Sequence, residues 1–113
     1  MSSITPDRVL AVLARHIGAE RGVGVHALAV AVAGPDAEAA DERLVRKAVV
    51  ELRQAGHHVC AHPSTGYFIA STEADLLRTC EYLYSRAMCS LEQVAAMRRE
   101  SLPDLRGQLR LPT

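Results

Sequence analysis

Aromatic residues are scarce in this chain, which has one Phe, three Tyr and no Trp among 113 residues. Leu, Val and Ala must therefore supply most of the core, and an apolar content of 49% is sufficient for one domain of this length. No apolar run approaches the roughly 18 residues of a membrane span, and Met1-Ser2-Ser3 does not open a signal peptide. We therefore expect a cytoplasmic protein with no membrane partner.

Cysteine content and net charge are also low. Cys60, Cys80 and Cys89 are too few for a disulfide framework, which agrees with a reducing compartment. The 13 basic residues balance the 13 acidic ones, whereas proteins that bind phosphate backbones usually carry a basic excess. Residues 41–72 hold four Lys and Arg against three Asp and Glu, a local balance of +1. This charge pattern is compatible with DNA binding but does not by itself indicate it.

Motifs for catalysis are missing from the sequence. There is no glycine-rich phosphate loop, nucleophile elbow, paired-carboxylate motif or His-Glu metal helix, so we expect no enzyme and no cofactor. His58, Cys60 and His62 would alternate onto one face of a strand, and imidazole and thiolate are good zinc ligands. A structural zinc site normally needs a fourth ligand, and no second Cys/His cluster is visible. We therefore predict no metal site and interpret these residues as surface polar groups.

The stretch from Asp41 to Ala70 carries the strongest structural pattern. It predicts an amphipathic helix over 41–55, a stop at Gly56, and then two short strands. The strands cover 58–62 and 67–70, and the four-residue tip Pro63-Ser64-Thr65-Gly66 joins them. Gly66 supplies the positive φ that so short a loop commonly needs.

The predicted helix over 41–55 has one apolar face and one basic face. The apolar side chains recur at helical spacing at Leu44, Val45, Ala48, Val49 and Leu52. Arg43, Arg46 and Lys47 fall on the other face, near the front of the helix, where a DNA major groove would receive them. A solvated surface helix would show the same pattern, so both alternatives stay open. The hairpin adds small or polar groups able to contact sugar-phosphate: His62, Ser64 and Thr65.

Shorter elements come before this stretch. Thr5-Pro6-Asp7 predicts the start of a first helix, which Gly18 ends. The helix would pack through Val9, Leu10, Leu13 and Ile17. Residues 21–25 could form a small strand beside the hairpin, and residues 26–33 predict a second helix. Residues 34–40 form either a long link or the early start of the next helix at Pro35.

The helix and hairpin together resemble a known family. The residues that carry the likeness are Leu44-Val45-Arg46-Lys47-Ala48-Val49-Val50-Glu51-Leu52-Arg53-Gln54-Ala55-Gly56 and Gly66-Tyr67-Phe68-Ile69-Ala70. The pattern resembles the winged helix-turn-helix proteins of bacteriophages and mobile elements, and the likeness covers residues 5–100. It implies a mainly α fold with a small β-hairpin wing and a long C-terminal helix. It also implies that Arg43, Arg46 and Lys47 face DNA, with the wing around Ser64 on the backbone.

A long helix is predicted after the hairpin. Thr72 with Asp75 three residues later is a capping signal, and no Pro or Gly interrupts the chain before Glu100. Apolar residues alternate by three and four positions, which is typical of a coiled-coil seam. We predict a homodimer interface at Leu77, Tyr84, Leu91 and Val94. The alternative is a helix that folds entirely back on its own domain.

These patterns divide the chain into three parts. Residues 1–71 are predicted to form a winged helix-turn-helix domain, residues 72–101 a long helix for packing and dimerisation, and residues 102–113 an irregular tail. We expect a double-stranded DNA-binding protein, either a small phage or mobile-element transcriptional regulator or a recombination accessory factor. The alternative is a winged-helix protein-interaction module without nucleic-acid binding, such as a phage-encoded inhibitor of a host protein.

Overall fold

The computed structural model describes residues 3–98. Within this range the elements are α1 (Pro6–Leu13), α2 (Val25–Ala33), α3 (Ala39–Gln54), β1 (Val59–His62), β2 (Gly66–Ile69) and α4 (Glu73–Arg98). The described chain is thus mainly helical, with a two-stranded antiparallel hairpin and a long C-terminal helix, as predicted. It divides into two compact units within α4, between Thr79 and Cys80. No helix among residues 3–98 is both long and apolar enough to cross a membrane.

The core of the first unit lies between α1, α2 and α3, which pack against one another. Its fully buried side chains include Val9 and Leu13 from α1, Leu28 from α2, and Val45 and Val49 from α3. These residues recur every three or four positions along their helices, so each helix buries one stripe. Aliphatic side chains build this core, as the scarcity of aromatic residues predicted.

The first helix begins where the sequence predicts and ends earlier. The Thr5 hydroxyl accepts a hydrogen bond from the Arg8 N–H at 3.2 Å and caps the helix. The prediction that Ile17 packs on this helix is wrong, because α1 ends at Leu13 and Ile17 is 50% exposed. Ile17 pairs instead with Ile69 of β2 as an isolated parallel bridge. After α1, backbone groups of residues 16–18 form hydrogen bonds with the edge of β2. The Gly18 N–H donates to the Ile69 carbonyl at 2.9 Å, and the Ile69 N–H donates to the His16 carbonyl at 2.8 Å. These bonds pair polar backbone groups that would otherwise lack a partner.

The hairpin pairs β1 and β2 in antiparallel register from Val59 opposite Ile69 to His62 opposite Gly66. On the other edge of β2, Val23 and Tyr67 exchange two backbone hydrogen bonds of 2.8 Å. The small strand predicted at residues 21–25 is therefore a single bridge residue, and residues 19–21 before it form a 3-10 turn.

The connection between α2 and α3 is shorter than the link predicted over residues 34–40. The helix α3 begins at Ala39, so only residues 34–38 join it to α2, and Pro35 does not start it. Gly34 ends α2 at φ +106°, a conformation that favours glycine. The Glu38 backbone N–H donates to the Asp41 carboxylate at 2.9 Å, which satisfies one group at the start of α3.

The start of α4 follows the predicted capping signal. The Thr72 hydroxyl accepts the Asp75 N–H at 3.1 Å, which confirms Thr72 as a cap. The Asp75 carboxylate in turn accepts the Ser71 N–H at 3.1 Å and the Ser71 hydroxyl at 3.0 Å. These hydrogen bonds from Ser71 lower the pKa of Asp75 below its ordinary value. The predicted irregular tail at 102–113 lies outside the described residues.

Candidate nucleic-acid interface

The solvent face of α3 carries the three basic side chains singled out from the sequence. Because Val45, Ala48, Val49 and Leu52 are buried against α1 and α2, the opposite side of the helix points into solvent. The exposed cations on that side are Arg43, Arg46 and Lys47, and we call them the cationic face. Among residues 3–98, no ion pair involves Arg43 or Lys47 within 4.0 Å. Two of the three positive charges are therefore available to an anionic partner.

Glu42 borders the cationic face and reduces its net charge. Its Oε1 lies 3.9 Å from an Arg46 guanidinium nitrogen, one helical turn away. Its Oε2 lies 3.0 Å from Nδ1 of His26, which is at the start of α2. Glu42 thus links α2 to α3 and restrains Arg46 from one side. The spacing of Glu42 and Arg46 is visible in the sequence, but the contact with His26 depends on how the two helices pack.

Arg53, the fourth cation of residues 41–72, serves the fold. Its Nε donates to the Val59 carbonyl at 2.8 Å, so the side chain joins the end of α3 to the start of β1. The local charge excess in this region therefore includes one cation with a structural partner. Spacing along the helix groups Arg53 with the other cations, because spacing does not show which cation meets a strand.

The predicted wing residues differ in their accessibility. Ser64 at the tip is exposed, and its backbone N–H donates to Nδ1 of His62 at 3.1 Å, which fixes the turn. His62 itself is half-buried. Thr65 is also half-buried because its backbone and hydroxyl lie against Gly22. Ser64 is thus the most accessible of the three for a phosphate, and the others shape the tip.

The histidine and cysteine pattern on β1 does not form one accessible face. Cys60 is fully buried, and its Sγ lies 3.6 Å from the Asp75 carbonyl in the first turn of α4. The interpretation of Cys60 as a surface polar group is therefore wrong, because the start of α4 covers that side of the strand. His58 remains exposed. No group of three His, Cys, Asp or Glu residues within the described range is arranged to hold a metal ion.

The residues predicted for a dimer interface fall into different environments on α4. Leu77 is 53% exposed in the first unit, and Tyr84 is 46% exposed in the second. Leu91 is buried at 7% exposure, in a small cluster with Ala95. Val94 is half-buried and packs on that cluster. Of these four residues, Leu77 and Tyr84 therefore expose the most apolar surface.

The first unit thus combines an exposed helix face that carries three cations with an exposed serine on the neighbouring hairpin. Such a surface can bind a polyanion through charge and hydrogen bonds. Comparison of the chain with protein-family models, with curated proteins and with solved structures finds no match.

Proposed function

We propose that residues 1–71 form a winged helix-turn-helix domain that binds double-stranded DNA. Helix α3 would enter the major groove, and the hairpin around Ser64 would contact the neighbouring sugar-phosphate backbone. The observation that carries this proposal is the cationic face, in which Arg43, Arg46 and Lys47 are all exposed on one side of α3. The short connection from α2 to α3 and the hairpin directly after α3 support the same arrangement.

The electrostatics of the face suit a phosphate backbone despite the neutral chain. A protein needs positive charge where the DNA lies, and acidic residues elsewhere in the chain do not remove it, because salt screens charges beyond about 10 Å. Arg43 and Lys47 form no ion pair within the described residues, so their binding to phosphate would break none of the protein's own pairs. Arg46 can exchange its 3.9 Å pair with Glu42 for a base or phosphate at low cost, because exposed pairs are weak.

The test is a gel shift with random-sequence duplex DNA at several salt concentrations, using the intact chain. We expect binding that weakens as salt rises, because phosphate contacts release counterions. Changing both Arg46 and Lys47 to Ala should weaken binding at least tenfold and lower the salt slope by about 1 for each lost phosphate contact.

The matched control is the double substitution Arg78→Ala and Arg86→Ala on α4. It removes the same two positive charges from exposed positions outside α3. Binding in this control should stay within about threefold of the unaltered protein. Equal loss of binding in both double variants would show that total charge matters and that α3 does not face the DNA.

A second candidate function is a protein-interaction module, and the exposed apolar residues of α4 favour it. Leu83 and Tyr82 are 42% and 53% exposed in the second unit, and large exposed apolar side chains in one element are typical of interaction sites. In that case the duplex would not shift even at low salt. The same gel shift therefore separates the two functions.

A further inference from the structure

Val50 is an exposed apolar residue in the middle of the cationic face of α3. Its side chain is 47% exposed, whereas the adjacent Val49 is 1% exposed and belongs to the core. At about 100° per residue, Arg43, Arg46 and Lys47 all lie within about 60° of Val50 around the helix axis. A partner that covers the three cations must therefore also cover this isopropyl group.

Folding gains little from a valine at this position. Its β-branched side chain lowers helix propensity relative to Ala, Lys or Gln. Since about half of the side chain stays exposed, its burial contributes less than that of Val49. Single exposed apolar residues are common on protein surfaces. Because cations surround Val50, a partner that matches this face must be anionic. It must also present an apolar group between its negative charges.

The DNA major groove has both properties. Phosphates line its two edges, and within the groove the 5-methyl group of thymine is the one apolar feature of the base edges. Arginine and lysine on either side of Val50 could reach phosphates or guanines while the isopropyl group lies against a methyl group. The order of charged and apolar side chains along α3 therefore matches the order of charged and apolar groups in the major groove.

We infer that Val50 is a specificity-determining residue that contacts the 5-methyl group of a thymine in the major groove. The inference rests on the proposed DNA binding through α3. Burying one methyl group is worth about 0.8 kcal/mol, so loss of this contact should weaken binding about fourfold. The positive residues set where α3 docks, and Val50 favours thymine over the other bases at one position.

The test begins with duplexes selected by the intact protein from a pool with a random core. In a selected duplex, each thymine within the bound region is replaced singly by deoxyuridine, which removes only the 5-methyl group. We expect one replacement to weaken binding about fourfold. The Val50→Ala variant should bind the thymine and uracil duplexes equally. Circular dichroism should show unchanged helicity, because the substituted side chain is outside the core.

A matched control is Glu51→Ala, an exposed position on α3 about 100° away from Val50. This variant should keep the preference for thymine. If the protein selects a duplex but no uracil replacement matters, or if Val50→Ala keeps the preference, the inference is overturned while DNA binding stands. If no duplex is selected even at low salt, the proposed function fails, and the assignment of Val50 fails with it.

Discussion

At the residue scale, two glycines allow the loop before α2 to lie directly against the tip of the hairpin. A Cβ atom at Gly66 would collide with the backbone carbonyl of Val23, and one at Gly22 would collide with the carbonyl of Thr65. Gly66 also has φ +95°, a conformation that side chains rarely adopt. The close approach lets Val23 and Tyr67 form their two backbone hydrogen bonds. The hairpin is thereby held along the edge of β2 that lies opposite β1.

The substitution Gly66→Ala should destabilise the protein by about 2 kcal/mol or more, because it combines backbone strain with a steric clash. The free energy of unfolding in urea measures the effect. Gly24→Ala is the matched control, since Gly24 has φ −68° and no atom lies within 4 Å of an added Cβ. The control should change stability by less than about 1 kcal/mol. Equal effects of the two substitutions would contradict the close approach.

Asp75 links stability to pH at the start of α4. Because hydrogen bonds from Ser71 lower its pKa in the folded state, its contribution is fully present above the ordinary value of 3.8. That contribution is lost as the pH falls through the lowered folded pKa. We expect Asp75→Ala to reduce the free energy of unfolding at pH 7, and the difference from the unaltered protein to shrink below pH 3.8.

The control for Asp75 is Glu73→Ala, which removes another first-turn carboxylate from an exposed position. It should have a smaller effect at pH 7, because exposed first-turn carboxylates contribute only about 0.3–1 kcal/mol. Urea unfolding at several pH values measures both variants. A deficit of Asp75→Ala that stays constant as the pH falls from neutral to well below 3.8 would contradict the assigned linkage.

At the element scale, side chains from neighbouring helices form hydrogen bonds with backbone groups on the outer edge of β1. The Val59 carbonyl accepts from Arg53 at 2.8 Å, and the Ala61 N–H donates to the Thr79 hydroxyl at 3.4 Å. An open strand edge exposes backbone groups that can pair with another chain. Arg53 and Thr79 satisfy these groups and also join α3 and the first turns of α4 to the hairpin. The hairpin is thus fixed to its neighbours by polar contacts as well as by the core.

Replacing Arg53 by Met keeps much of the side-chain bulk and removes the donor to Val59. We expect a loss of about 1–2 kcal/mol in the free energy of unfolding, because a partly buried carbonyl loses a charged hydrogen-bond partner. Hydrogen exchange should also show faster opening of the β1 and β2 amides. Arg43→Met on the exposed face of the same helix should leave stability within about 0.5 kcal/mol. A similar loss in both variants would contradict the role of Arg53.

At the scale of the whole molecule, the apolar surface of α4 bears on self-association. Leu77 and Tyr84 are exposed and seven positions apart, the repeat of a coiled-coil seam. Leu91 continues the same repeat but is already buried within the second unit. A homodimer through α4 stays a prediction, and Leu77 and Tyr84 are the predicted seam residues that are exposed enough to test it.

The substitution Tyr84→Glu should shift the intact protein towards the monomer, because it places a charge within the proposed apolar interface. Sedimentation equilibrium over a range of protein concentrations measures the change. Ser90→Glu adds the same charge at an exposed position about 120° around the helix and should leave association unchanged. A monomer at all concentrations for the unaltered protein would rule out the dimer.

Most of the element order could be predicted from local sequence patterns. The periodicity of Val45, Val49 and Leu52 specifies α3, because an amphipathic stripe needs no knowledge of its partner. Thr72 and Asp75 specify the start of α4, since the capping groups lie three residues apart. The hairpin follows from a strand pattern interrupted by Pro63 and Gly66. The exposure of Arg43, Arg46 and Lys47 follows from the same periodicity as the core.

By itself, then, the sequence determined the order of the helices, the hairpin and the face on which the cations lie, because those features depend on neighbours within a few residues. Only the tertiary structure decided the roles of Ile17, Cys60 and Arg53. Ile17 leaves α1 to pair with Ile69, Cys60 is buried under the first turn of α4, and Arg53 bonds to Val59. Each of these contacts joins separate elements, and a local pattern cannot show which distant backbone group will need a partner.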